Sequence, residues 1–235
     1  IWTNDFGNQG DMQRRRMYEM FDFIAAHDDL YHLGDTPLKV YTKWYRIIEK
    51  EMHGPGTPRL SAPPAQIGDV PPEFRHNVQL YLKGYNLARP VADRIERAIR
   101  AWQVPSTKQE HNLWELTGAA FVSRSVWPVV AAYMQKPRPK PLTKEEKDEQ
   151  VISANVFMAV TCNEDAVKPS PANLPATVAA YFSGEDFFTL KNLIVTSGMM
   201  CPGIAPTTTP VQVTGEYLTI PVSYTHLRAH ETLRY

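Results

Sequence analysis

Residues 156–162, VFMAVTC, followed by Asn163, Glu164 and Asp165, decide what kind of fold this 235-residue chain adopts. A short, fully apolar run rich in β-branched residues suits a buried strand, which would bring a sheet into the molecule. The same run suits the tail of a helix that begins after Thr143, where Glu146 stands three residues on in a capping-box pattern. Periodicity does not separate strand from helix over so short a stretch. The acids that follow also have two readings. Adjacent carboxylates behind an apolar run are costly to bury without a cation, so they either capture one or stand solvated at a helix cap and loop.

Working outward, apolar spacing predicts helices. Across residues 11–33, Met17, Met20, Phe21 and Ile24 recur at intervals of three and four, and Gly34 is placed to stop the helix. Thr36-Pro37 reads as an N-cap followed by proline at the first helical position. Leu38, Tyr41, Tyr45, Ile48 and Met52 then share one stripe, ended by Gly54 and Pro55. Six prolines and three glycines over residues 54–72 predict a long surface loop. RPVADRIERAIRAW, residues 89–102, is the clearest helix. It is expected to start at Pro90 and to bury Val91, Ile95, Ile99 and Trp102. WELTGAAFVSRSVWPVVAAYM, residues 114–134, is helical with a kink or restart at Pro128, and KPRPKPLT, residues 136–143, suits a stiff linker. Beyond the opening stretch, FFTLKNLIVTSG (187–198) returns to helical spacing and GEYLTIPV (215–222) reads as a strand entering a sheet. A mostly helical stretch followed by such alternation predicts a helical lid on an α/β protein.

Composition narrows the function. Hydrophobic residues make up 43% and charged residues 21%, which is globular and not disordered. Lys and Arg balance Asp and Glu at 25 each, which argues against nucleic acid or an anionic membrane as the main partner. No apolar run reaches the roughly 20 residues of a membrane span. The chain opens at IWTNDFG, without an initiator Met or a signal-peptide pattern, as expected of a processed chain or a fragment. Cys162 and Cys201 allow one disulfide or two buried thiols, and are too few for a zinc site of cysteines alone.

Other constellations read as structural. His27, Asp28, Asp29 and His32 have metal-ligand residue types, but lie where a helix carboxyl end is expected and no cysteine or glutamate converges on them. QRRRM, residues 13–17, reads as a solvated helix face. No Gly-x-Ser-x-Gly elbow is present; Ser183-Gly184 and Ser197-Gly198 lack the upstream glycine. GPGTP, residues 54–58, lacks the Lys-Ser/Thr of a phosphate loop. No metal or cofactor is called for.

The order of motifs adds a resemblance. An apolar run ending in Cys-Asn-Glu-Asp, a helical stretch, a second cysteine opening CPGIAPTTTP (201–210), then GEYLTIPV resembles the tripeptidyl aminopeptidase and proline iminopeptidase group of α/β-hydrolases. WPVVAAYM, residues 127–134, is similar to the end of that group's helical cap. The resemblance spans residues 151–222. It implies an α/β-hydrolase fragment: a helical cap over residues 1–150, then a segment over 151–222 leading into the α/β core. It further implies a secreted or periplasmic serine exopeptidase that takes short peptides from free N-termini by Ser-His-Asp acyl transfer. Glu164 and Asp165 would pair with the substrate's α-ammonium, and Cys162 would pair with Cys201 in an oxidising compartment. The group often carries Trp three residues after the second cysteine; here Ile204 stands there.

The same pattern places the nucleophile elbow before Ile1 and the catalytic acid and base after Val222, so the chain is expected to be inactive by itself. The tail supports truncation. VSYTHLRAHET, residues 222–232, is the conceptual translation of a transposase adapter used in short-read library preparation, so residues 223–235 are read as a non-native tail. The His226 and His230 pair within it is therefore not read as a metal site. Two alternatives stand beside the peptidase: an esterase-like hydrolase of the same fold, and an all-helical interaction module without catalysis, which would use the stripes at Leu38–Met52 and Val91–Trp102.

Overall fold

The computed structural model describes residues 9–52, 58, 60–102, 112–138, 143–164 and 170–201. Helix α1 (Gln9–Ala26) carries Met17, Met20, Phe21 and Ile24 on one face, and all four are buried. His27 interrupts it, and a single-turn α2 (Asp28–Tyr31) follows. His32 closes that turn in the left-handed region (φ 53°), and Gly34 then adopts a φ of 125° that only glycine holds without strain. The helix expected over residues 11–33 is therefore two pieces.

Helix α3 (Pro37–Met52) starts as its sequence indicates, with Lys39 N–H donating to Thr36 Oγ1 at 3.3 Å. Leu38, Tyr41, Tyr45 and Ile48 are buried along it, and Met52 packs at the margin of the core. The stripe meets α1 edge to face: Phe21 lies 5.8 Å from both Tyr41 and Trp44, ring centre to ring centre.

Helix α4 (Val78–Ala101) begins well before the stretch read as helical and ends one residue short of Trp102, and Pro90 lies inside it and not at its start. Helix α5 (Asn112–Val122) and helix α6 (Trp127–Gln135) are split by a short 3-10 turn, with Pro128 in the first turn of α6, so proline restarts the helix. They close the core from the other side. Trp44 Nε1 donates to Thr117 Oγ1 at 3.0 Å, and Trp127 Nε1 to the Ala120 carbonyl at 3.1 Å, so both indoles are buried with their one donor satisfied.

Helix α7 (Lys144–Glu164) settles the opening stretch. Thr143 N–H donates to Glu146 Oε2 at 2.8 Å and Glu146 N–H to Thr143 Oγ1 at 3.2 Å, the reciprocal capping box its sequence contains. Once nucleated, a helix gains one hydrogen bond for each further residue it fixes. The β-branched residues of VFMAVTC oppose it by only a few tenths of a kcal/mol each, on the order of 0.5. VFMAVTC thus forms the closing turns of α7. Helix α8 (Leu174–Phe182) and helix α9 (Phe187–Thr196) complete the described chain, with α9 lying on α1 and Phe188 fully buried.

The α/β-hydrolase expectation is corrected by this architecture. Helices make up about 80% of the described residues, which contain no strand or sheet, so the described part of the chain is all-helical and holds no α/β core. The physical reason lies in α7: the capped helix runs through the segment that would have entered a sheet, and a strand gains stability only from a neighbour to pair with. The boundary drawn at residues 150 and 151 falls inside that helix. The strand expected at residues 215–222, Ile204 and the tail at 223–235 lie outside the described residues.

A further correction concerns the proline-rich connection. Among its described residues, Leu60, Pro63 and Ala65 are buried while Pro64, Gln66, Ile67 and Gly68 are exposed, so part of the expected surface loop belongs to the core. Its backbone is threaded between helices and satisfied by side chains. Tyr41 and Tyr18 donate their hydroxyls to the Leu60 and Ser61 carbonyls at 2.7 and 2.8 Å, and Asp186 accepts Ser61 N–H at 2.6 Å.

Candidate functional site

Two places carry features that the core does not require. The first is the carboxyl end of α7. Cys162 and Cys201 are joined by a disulfide, with their Cα atoms 5.7 Å apart, and Cys201 N–H donates to the Gly198 carbonyl just past α9. The bond therefore ties the end of α7 to the turn that follows α9. Among the described side chains of α7, Val151, Ile152 and Val156 are more than half exposed, and Gln150 reaches Glu115 of α5 through a hydrogen bond at 2.5 Å. Glu164 is the last residue of the helix, and Asp165 lies outside the described residues. The last carbonyls of a helix carry the negative end of its dipole.

The second place is α4, which docks with its polar side inward. Asn86 accepts Ala65 N–H at 2.8 Å and donates to the Ala65 carbonyl at 3.3 Å. Asp93, 1% exposed, accepts Ala62 N–H at 3.4 Å and forms an ion pair with Arg89 at 2.6 Å. Arg97 donates to the Gly184 carbonyl at 2.7 Å, and Arg100 forms ion pairs with Glu49 and Glu96. Beneath α4 lies Tyr18, whose hydroxyl is pushed up to about 12 by burial and by the neighbouring Asp186 carboxylate.

The apolar side of α4 consequently faces out. Leu80, Leu87, Val91, Ile95, Ile99 and Trp102 are between 56% and 76% exposed. The burial expected for Val91, Ile95, Ile99 and Trp102 is corrected on this finding: the helix is amphipathic as read, but it presents the opposite face to the core. Trp102 packs against Phe182 of α8 with ring centres 4.8 Å apart and planes tilted by 41°, and Tyr181 sits edge-on to Phe182, so the ridge continues onto α8. Beside it runs a groove of about 500 Å³ lined by Val91, Arg94, Ile95, Ala98, Ile99 and Trp102. Gly184 makes the close crossing possible: a Cβ there would stand 2.1 Å from the Arg94 carbonyl oxygen.

The remaining residues singled out from sequence do structural work. His27 Nδ1–H donates to the Phe23 carbonyl at 2.7 Å, and Asp28 accepts Gly34 N–H at 2.6 Å. Among the described residues no three His, Cys, Asp or Glu side chains are grouped to hold a metal ion, and no helix is long and apolar enough to cross a membrane. Arg14, Arg15 and Arg16 form ion pairs with Asp11, Asp186 and Glu19. Ser183 and Ser197 cap α8 and α9, donating to the Ala180 and Ile194 carbonyls at 3.2 Å. The sequence reading passed over Asn86, Asp93 and Asp186. Their one visible signal is that Asn86 and Asp93 stand on the same side of a helix, opposite its apolar stripe.

The fold and the α4 face together define an all-helical body that turns an apolar ridge outward. No family model, curated protein or solved structure matches the chain.

Proposed function

We propose that this chain is the helical, substrate-facing part of a serine exopeptidase that removes short peptides from free N-termini. The Ser-His-Asp chemistry belongs to residues outside this chain. The observation that carries the proposal is the Cys162–Cys201 bond, which joins the two cysteines that the sequence resemblance pairs and fixes the carboxyl end of α7. Glu164 and Asp165, at and just beyond that end, supply the negative charge that draws a peptide's α-ammonium, and the dipole of α7 adds to it. A disulfide also suits the secreted or periplasmic setting of such an enzyme.

The test is a calorimetric or NMR titration of the chain with a tripeptide amide bearing a free N-terminus, and with its N-acetyl counterpart. The free amine should bind about tenfold more tightly, a difference of ~1.4 kcal/mol. Glu164→Gln should remove most of that difference. Equal binding of the two peptides would sink the proposal. The purified chain should not turn over a chromogenic tripeptide substrate.

The outward ridge of α4 supports a second reading, an all-helical interaction module without catalysis. Of its two candidate stripes, Leu38–Met52 is core, and the one on α4 is available for docking. If N-acetylation leaves peptide binding unchanged while substitutions on α4 abolish association with another protein surface, the module is the better account.

A further inference from the structure

The apolar stripe of α4 is symmetric about one residue except at Ile99, whose mirror position is Lys83. Counting from Val91, Leu87 and Ile95 stand four residues away on either side, Gly84 and Ala98 seven, and Leu80 and Trp102 eleven. At 3.6 residues per turn these positions fall within one face of the helix, on the order of 100° wide. A stripe that reads the same in both directions is complementary to its own antiparallel copy, and an isologous two-fold contact demands that property.

We propose that the chain forms a homodimer through an antiparallel pair of α4 helices, with the two-fold axis passing at Val91. Val91 then meets its own copy, Leu87 meets Ile95 of the second copy, and Leu80 meets Trp102. Gly84 faces Ala98, and this pairing of two small residues lets the helix backbones approach closely at the usual interaxial distance of ~8–10 Å. The groove between Val91, Ile95, Ile99 and Trp102 provides the socket in which Leu87 of the copy seats. The helix is 24 residues long, so the seam runs on the order of 35 Å at 1.5 Å per residue.

Area and charge both fit a second copy. The five large apolar side chains of these pairings, at on the order of 100 Å² each per protomer, bring about 1,000 Å² together. That meets the ~1,000 Å² a specific interface should clear, before Tyr181 and Phe182 of α8 are added. Of the charges beside the ridge, Arg94 is paired with Glu185 within the chain. Lys83 would lie opposite Ile99 of the copy, where its long stem can cover apolar surface while its ammonium stays in water. The dimer stands independently of the peptidase reading, since it uses none of the residues assigned to the α-ammonium.

Sedimentation equilibrium on the full 235-residue chain tests this, with circular dichroism to confirm that each variant remains helical. The wild type should show a mass twice that of the chain at micromolar concentration. Val91→Glu should weaken association about a hundredfold or more, because two carboxylates meet on the axis without a partner. Leu87→Glu alone and Ile95→Lys alone should both be monomeric, while their equimolar mixture should form a heterodimer, since position 87 of one chain faces position 95 of the other. All three substituted side chains are exposed in the single chain, so folding is not at stake. A wild type that stays monomeric overturns the proposal, including the case in which amides of α4 are protected because another segment of the chain covers the ridge. A dimer indifferent to Val91→Glu, or single variants whose mixture stays monomeric, overturns it as well.

Discussion

Asp186 joins three parts of the chain through one buried carboxylate. It accepts Phe188 N–H at 3.0 Å as the N-cap of α9, Ser61 N–H from the proline-rich connection, and the Arg14 guanidinium at 3.0 Å. Asp186→Ala removes the cap and leaves Arg14 without its buried partner, so urea unfolding should show a loss of about 3 kcal/mol. Asp186→Asn, which still accepts at the cap, should lose less. Tyr18 beneath it gives a pH signature. Its folded pKa, raised to about 12, exceeds the unfolded value near 10.0. Stability from that group is therefore present below pH ~10 and is lost as pH rises towards 12. Thermal unfolding of the wild type should fall across this window, and Tyr18→Phe should flatten the fall. Lys191 is pushed the other way: burial lowers its pKa, and no acid is paired with it among the described residues. Its ammonium is a burden at neutral pH, so Lys191→Met should raise the melting temperature.

At the scale of elements, α3, α6, α7 and α9 were legible in the sequence because local chemistry determines them. Thr36-Pro37, Pro128 and the Thr143–Glu146 pair mark starts that need no tertiary information, and the α3 stripe is wide enough to form a core face unaided. The orientation of α4 was not legible. A 3.6-residue pattern shows which face is apolar, but the face that meets the body is selected by partners remote in sequence: Ala62 and Ala65 for Asp93 and Asn86, and Gly184 for Arg97. The fate of VFMAVTC was open for a related reason, since the run fits either element and the cap upstream decided it. Of the candidate site, the cysteine pair was legible through resemblance, whereas the place of Glu164 at a helix terminus followed from the length of α7. The α4–α8 crossing makes its own prediction. Gly184→Ala adds a carbon 2.1 Å from the Arg94 oxygen at a backbone φ of 76°, so the helices must separate. Chemical unfolding should register about 2 kcal/mol or more.

For the molecule as a whole, stability is divided unequally. The body of α1, α3, α5, α6 and α9 is held by buried aromatic and aliphatic side chains, whereas α4 adds only the partly buried Leu82 and Tyr85 to that core and otherwise relies on hydrogen bonds and ion pairs at its polar face. Helix α4 should therefore open before the body does, and its amides should exchange faster than those of α3 at high dilution. Raising the protein concentration should slow exchange in α4 alone, because association stabilises only what it covers. Helix α7 is a different case. Its disulfide closes a sequence separation of 39 residues, and by the chain-entropy estimate its reduction should cost about 4 kcal/mol. Because the described side chains of α7 are largely exposed, that cost will be felt mainly as release of the helix. The choice of expression host then becomes a structural variable. A cell that keeps thiols reduced would yield a body with α7 hanging free and open to proteases, and an oxidising secretory route would yield the fastened form from the same gene.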